Sequence, residues 1–172
     1  MVNSGTEHTV KAFDSDINQL RGMVAEIERI GDYAKNIAKR VPLVTRNRRL
    51  TPISLLPSMS KIASELVRDS LDAFARRDAE LAMEVNRRDQ IVDDFYNSIF
   101  RAVITHMIEN PKDIGEAAHL LFIAKNLERI GDHATNVAEM VYFAATGEPM
   151  PERTRGEDPT DPLDDALSDD AD

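Results

Sequence analysis

Among the carboxylates that stand four residues apart in this chain are Glu28 with Asp32, Asp89 with Asp93, and Glu128 with Asp132. On a helix that spacing puts both acids of a pair on one face, about 40° apart. Two of the pairs belong to a repeat. Residues 26–38 read Glu-Ile-Glu-Arg-Ile-Gly-Asp-Tyr-Ala-Lys-Asn-Ile-Ala, and residues 126–138 read Asn-Leu-Glu-Arg-Ile-Gly-Asp-His-Ala-Thr-Asn-Val-Ala. The offset is 100 residues without a gap, and eight positions are identical.

Like charges at this spacing destabilise an isolated helix by roughly 0.2–0.5 kcal/mol. Asp89/Asp93 facing Glu128/Asp132 from a neighbouring antiparallel helix would repel further unless a cation lay between them. An all-oxygen ligand set suits hard ions such as Mg²⁺, Mn²⁺, Ca²⁺ or iron. No histidine stands one turn from either pair, so zinc is disfavoured and the Glu-x-x-His signature of buried di-iron bundles is absent. A plain ion-paired face is the other reading. Arg129 lies three residues from Asp132, and Arg87 and Arg88 adjoin Asp89. Spacing leaves both readings open. His106 and His119 read as surface or capping groups, Lys125-Asn126 as part of a polar face, and the methionines as packing. No nucleophile–base pair or phosphate-binding loop stands out, so catalysis has no positive support and the chain reads as a non-enzyme.

The elements that must carry these pairs are helices. The first is expected over about 9–40. Its apolar seam runs Val10, Phe13, Ile17, Leu20, Val24, Ile27, Gly31, Ala34, Ala38 and Val41, with steps of three and four. Val41-Pro42 ends it, because a residue before proline is biased away from helical ψ. A basic linker follows, with Arg46, Arg48 and Arg49. A second helix opens at Ser54 or Pro57 and ends near Arg76-Arg77. Asp78 caps a third, which runs to about Met107. Asn110-Pro111 breaks the chain before a fourth helix over about 112–145, stopped by Gly147 and Pro149. The fourth seam, Ala117, Leu120, Ala124, Leu127, Gly131, Ala134, Ala138 and Val141, coincides with the first when shifted by 100. Glu128 and Asp132 lie about 100–140° from the centre of that stripe, which predicts a place on the rim or outer surface. Short loops predict antiparallel neighbours. The expected fold is all-α, an antiparallel bundle of four long helices.

A chain of 172 residues suits one domain or two small ones. It has no cysteine, so it offers no disulfide, thiolate metal site or cysteine nucleophile. The net charge of −10 is uneven. From Pro151 to Asp172 nine acids face two arginines, a net of −7. Residues 1–8 and 148–172 read as a disordered lead and an acidic disordered tail. The acidity argues against nucleic acid as the main partner. No apolar run approaches the 20 or so residues of a membrane span, and no leader pattern opens the chain. A cytoplasmic chain without direct membrane insertion is expected.

Residues 121–139, Leu-Phe-Ile-Ala-Lys-Asn-Leu-Glu-Arg-Ile-Gly-Asp-His-Ala-Thr-Asn-Val-Ala-Glu, closely resemble the PhoU family of phosphate-specific transport accessory proteins. So does Arg87-Arg-Asp-Gln-Ile-Val-Asp-Asp-Phe-Tyr96. The resemblance covers about residues 7–147. It implies two three-helix bundles related by an internal repeat, and a negative regulator of the phosphate-starvation response. It further implies partners in a phosphate ABC transporter's ATPase subunit and a phosphate sensor histidine kinase, and a homodimer. Metal ions (Mg, Mn or Fe) would sit at the family's surface motifs. These motifs fall on Asp89, Asp93, Glu128 and Asp132 in the second repeat and on Glu28 and Asp32 in the first. A block of about two helices is missing near Ala25-Glu26, and with it the expected companions of Glu28 and Asp32. The chain should therefore hold one intact three-helix repeat at 54–147 and a fused remnant helix at 9–41. The alternatives are a carboxylate-bridged metalloenzyme and a structural dimerisation module.

Overall fold

The computed structural model describes the backbone of residues 4–44 and 51–151, with side chains described for 17–44 and 52–151. Most of the basic linker and nearly all of the acidic tail lie outside these residues. Four long helices follow one another: α1 (Ser4–Val44), α2 (Leu56–Arg76), α3 (Ala79–Glu109) and α4 (Ile114–Thr146). Short 3₁₀ turns at Thr51–Leu55 and Pro111–Asp113 lead into α2 and α4. There is no strand among the described residues.

The boundaries follow from local chemistry. Arg77 ends α2 in the left-handed region (φ 52°), with its N–H donating to Ala73 and Phe74 carbonyls. The Asp78 N–H closes the same turn on the Ala73 carbonyl at 2.9 Å. Asp78 is also the N-cap of α3, where its carboxylate accepts the Leu81 N–H at 3.0 Å. Two residues thus end one helix and start the next, and α2 and α3 fold back on each other. Gly147 closes α4 with φ 77° and an N–H donated to the Phe143 carbonyl at 2.8 Å.

The first helix departs from expectation at its ends. It begins at Ser4 and runs through Pro42 to Val44. Proline removes one N–H and crowds the carbonyl four residues back, so at position 42 it costs the last turn its bond to the Ala38 carbonyl. Val44 is fully buried, and its packing anchors that turn.

The fourth helix is the centre of the molecule: α1, α2 and α3 all pack on it, and α2 packs on α3. Its expected seam, from Ala117 to Val141, is buried throughout, against Met59 and Leu66 of α2 and Val85, Val92, Ile99 and Val103 of α3.

The matching seam of α1 is not buried. Leu20 is 48% exposed, Val24 62%, Ile27 42% and Val41 40%. Gly31, Ala34 and Ala38 are exposed with them. The face that docks on α4 lies one residue back: Gln19, Met23, Glu26, Ile30, Tyr33, Ile37 and Val44. From Gln19 to Ile37 its spacing is also three and four, so the period expected for α1 holds while the phase does not. The reason lies in what α1 meets. The α4 seam is filled by α2 and α3 of its own repeat, whereas among the described residues α1 packs chiefly on α4, along its flank.

Contacts along this joint fix its direction. The Gln19 amide donates to the Met140 carbonyl at 2.7 Å, Tyr33 stacks on His133 at 5.3 Å, and the Arg40 guanidinium lies 4.9 Å from the centre of the Phe122 ring. Low numbers on α1 meet high numbers on α4, so the helices are antiparallel. Position 22 of α1 meets Met140, and Arg40 meets Phe122. The two repeat copies therefore use equivalent positions on each other.

Candidate functional site

The second-repeat acids lie on the facing sides of α3 and α4: Asp89 packs on Gly131, and the charges of Asp132 and Asp93 reach Glu128. Asp89 is 1% exposed and Glu128 9%, so both lie inside the α3–α4 contact. This corrects the expected rim position of Glu128. A surface helix has one covered face, but α4 is covered on several sides, and α3 closes over the flank that carries Glu128. Asp93 and Asp132 are half-buried beside them. Asp132 also looks into a cleft of about 1080 Å³ between α1, α4 and the α2–α3 turn, lined further by Gln19, Asn86 and Asn136.

Gly131 makes the close approach possible. A Cβ built there would collide with the Asp89 carboxylate and touch Val92. The repeat-equivalent Gly31 has open space in the same direction.

Electrostatics mark the cluster. Burial pushes the Glu128 carboxyl up to about 7, and the charges of Asp132 and Asp93 push the same way. Lys125 pulls against them by donating to Glu128 Oε1 at 2.9 Å. The other oxygen, Oε2, is buried and has no hydrogen-bond partner among the described residues. Lys125 also lies 4.9 Å from the centre of the Tyr96 ring on α3.

The neighbouring arginines are engaged elsewhere. Arg88 reaches across to α2, with Nη2 on Glu65 at 2.6 Å and Nη1 on Asp69 at 2.7 Å. Arg87 pairs with Glu84 at 2.7 Å, and Arg129 lies 5.7 Å from the Tyr33 ring centre on α1. Among the described residues no three or more His, Asp or Glu groups converge as a preformed cage. The acids still offer carboxylate oxygens of the kind a hard cation uses, one of them buried and unpaired, with the Lys125 ammonium on the other oxygen of Glu128.

Glu28 and Asp32 stand exposed on α1, and among the described residues no three acidic or histidine groups converge around them. Spacing did not single out the acid that α1 does use. Glu26 accepts from Asn136 Nδ2 at 3.0 Å and shares a short hydrogen bond with His133 Nδ1. Burial alone would raise Glu26, but these bonds, with the charges of His133 and Arg29, hold it below the usual carboxylate range. A signal was present: positions 26/126 and 33/133 are among those where the two copies differ, and Glu26, Tyr33 and His133 lie at the joint between them. His106, read from the sequence as a surface or capping group, pairs with the Asp113 carboxylate across the α3–α4 connection at 3.0 Å.

The PhoU domain model matches residues 56–141. A phosphate-specific transport system accessory protein PhoU homolog from Zymomonas mobilis is 57% identical over 132 residues, 77% of this chain and 56% of the relative. The homolog of that name from Rhizobium meliloti is 41% identical over 146 residues, 82% of this chain and 62% of the relative. The chain thus spans little more than half the length of these relatives. The crystal structure of PhoU from Pseudomonas aeruginosa superposes with a TM-score of 0.72 at 34% identity, over 78% of this chain and 66% of that one.

Proposed function

The chain belongs to the PhoU family, and from that premise we propose that it acts as a regulatory adaptor of phosphate uptake that binds metal at the α3–α4 carboxylates. The observation that carries this reading is that α2, α3 and α4 are complete and hold both second-repeat acidic pairs, inside the span that matches the family. An accessory role in phosphate transport follows from the relatives' shared description.

The finer reading is negative regulation of the phosphate-starvation response. The adaptor links the transporter's ATPase subunit to a sensor histidine kinase, in the cytoplasm and without catalysis. No helix among the described residues is long and apolar enough to cross a membrane.

Metal binding rests on the chain's own residues. Asp89, Asp93, Glu128 and Asp132 would hold a hard cation such as Mg²⁺, Mn²⁺ or iron, which neutralises the acidic cluster and locks α3 to α4. Glu28 and Asp32 are left as surface acids by this reading.

Two experiments test it. In a strain lacking its own PhoU, the chain should restore repression of a phosphate-starvation reporter and co-purify with the ATPase subunit or the kinase; failure in both assays overturns the adaptor reading. Protein purified without chelator should carry metal, and Asp89→Asn with Asp132→Asn should lose most of it. Equal metal content in both would assign the cluster to packing alone.

A further inference from the structure

The exposed stripe on α1 comprises Leu20, Val24, Ile27, Gly31, Ala34, Ala38 and Val41. It is the repeat equivalent of the stripe on α4 that buries the core. We infer that this stripe is a self-association surface, on which α1 of a second copy of this chain packs antiparallel. The inference does not depend on the phosphate reading or on metal.

The residue pattern specifies this occupant. In heptad terms Val24, Gly31 and Ala38 occupy one seam position and Leu20, Ile27, Ala34 and Val41 the other. An antiparallel pair sets each of the first kind against one of the second. Two registers do so over most of the stripe. In one, Val24 faces Ala34 and Ile27 faces Gly31, which sets Glu28 against its own copy and Arg21 against Lys35. In the other, Val24 faces Val41, Ile27 faces Ala38 and Gly31 faces Ala34, which sets Glu28 against Lys35 twice, once on each side of the dyad. Charge therefore selects the second register.

That register also places Gly31 and Ala34 of both copies at the centre, where small side chains let the backbones approach, with Ile27 and Val24 filling the ends. A parallel pair has no such charge pairing. Its other flank carries Met23, Ile30 and Ile37, which are packed toward α4. The flank bearing Arg21, Glu28 and Lys35 is exposed and free to meet a partner.

The chain contains no cysteine, so introduced ones report without background. Equilibrium sedimentation of the full chain at micromolar concentration should show a dimer. Val24→Glu should return it to monomer with helical content unchanged. Glu28→Lys should weaken the dimer about tenfold, and adding Lys35→Glu should restore it. Under mild oxidation a mixture of Ile27→Cys and Ala38→Cys chains should cross-link to each other, and neither to itself.

A monomer at 100 µM or so would overturn the inference. So would a dimer indifferent to Val24→Glu, or Ile27→Cys chains that link efficiently to themselves, which reports a parallel pair. If Val24→Glu abolishes the dimer but metal content and reporter repression persist, the surface and the α3–α4 site are separate devices, as their placement implies.

Discussion

At the scale of single residues the repeat is a pair of controls. Gly131 and Gly31 are identical in sequence context and opposite in surroundings. Gly131→Ala drives a methyl group into the buried Asp89 carboxylate, and thermal unfolding should report a loss of about 1–3 kcal/mol. Gly31→Ala meets nothing on its own chain and removes backbone freedom from the unfolded state. At concentrations low enough to keep the chain monomeric it should gain about 0.5–1 kcal/mol. Glu128 gives a pH signature. Its folded pKa, about 7, lies above the usual 4.5, so the folded chain binds the proton more tightly than the unfolded one. With chelator present, stability should fall as pH rises from about 4.5 to 7, by up to roughly 3 kcal/mol. Glu128→Gln should flatten that slope; an unchanged slope would show that another group causes it. The acidic pairs were legible in spacing because i,i+4 geometry is local. The burial of Glu128 was not, because it depends on how many neighbours α4 has. Glu26 and His133 are partners across 107 residues, which no local pattern expresses.

At the scale of elements, turn chemistry was the most legible part. Asp78, Pro111 and Gly147 each act within a few residues of themselves, and all three boundaries stand close to where they were expected. The phase of α1 was illegible. Its sequence carries two stripes with the same period, one apolar and small, one mixed with Gln19, Glu26 and Tyr33, and the packed one is the mixed one. Hydrophobic periodicity names the more apolar stripe, and that choice holds only when the partners for it are present. Because α1 packs chiefly on α4 among the described residues, it is the element most easily released. Glu26→Ala combined with Tyr33→Ala should raise hydrogen exchange along residues 17–44 while amides in the middle of α4 stay protected. Equal acceleration in both helices would mean that α1 unfolds only with the whole molecule.

For the whole molecule, α2, α3 and α4 supply most of the core and all four second-repeat acids, while α1 adds Met23 and Val44. A chain beginning at Thr51 should keep cooperative thermal unfolding and the same metal content per molecule as the full chain. If metal is lost while the fold persists, α1 contributes to the site through the cleft beside Asp132. The helical class and the number of helices were legible from composition, breaks and caps, and the match with family structures fits that reading. What the first half of the repeat does without its companions depends on which surfaces remain to be covered, and so on the assembled structure.

The two stripes of α1 are neighbours, a single residue apart in phase, and this makes the helix sensitive to counting. One alanine inserted between Ala25 and Glu26 would turn everything upstream by about 100° and move it about 1.5 Å. Leu20 would then take the place of Gln19, and Val24 that of Met23, both against α4. Downstream, Tyr33 and Arg40 would keep their partners. Half of the exposed stripe would rotate inward without changing a side chain, so the residue count between the two halves of α1 sets whether this surface is continuous.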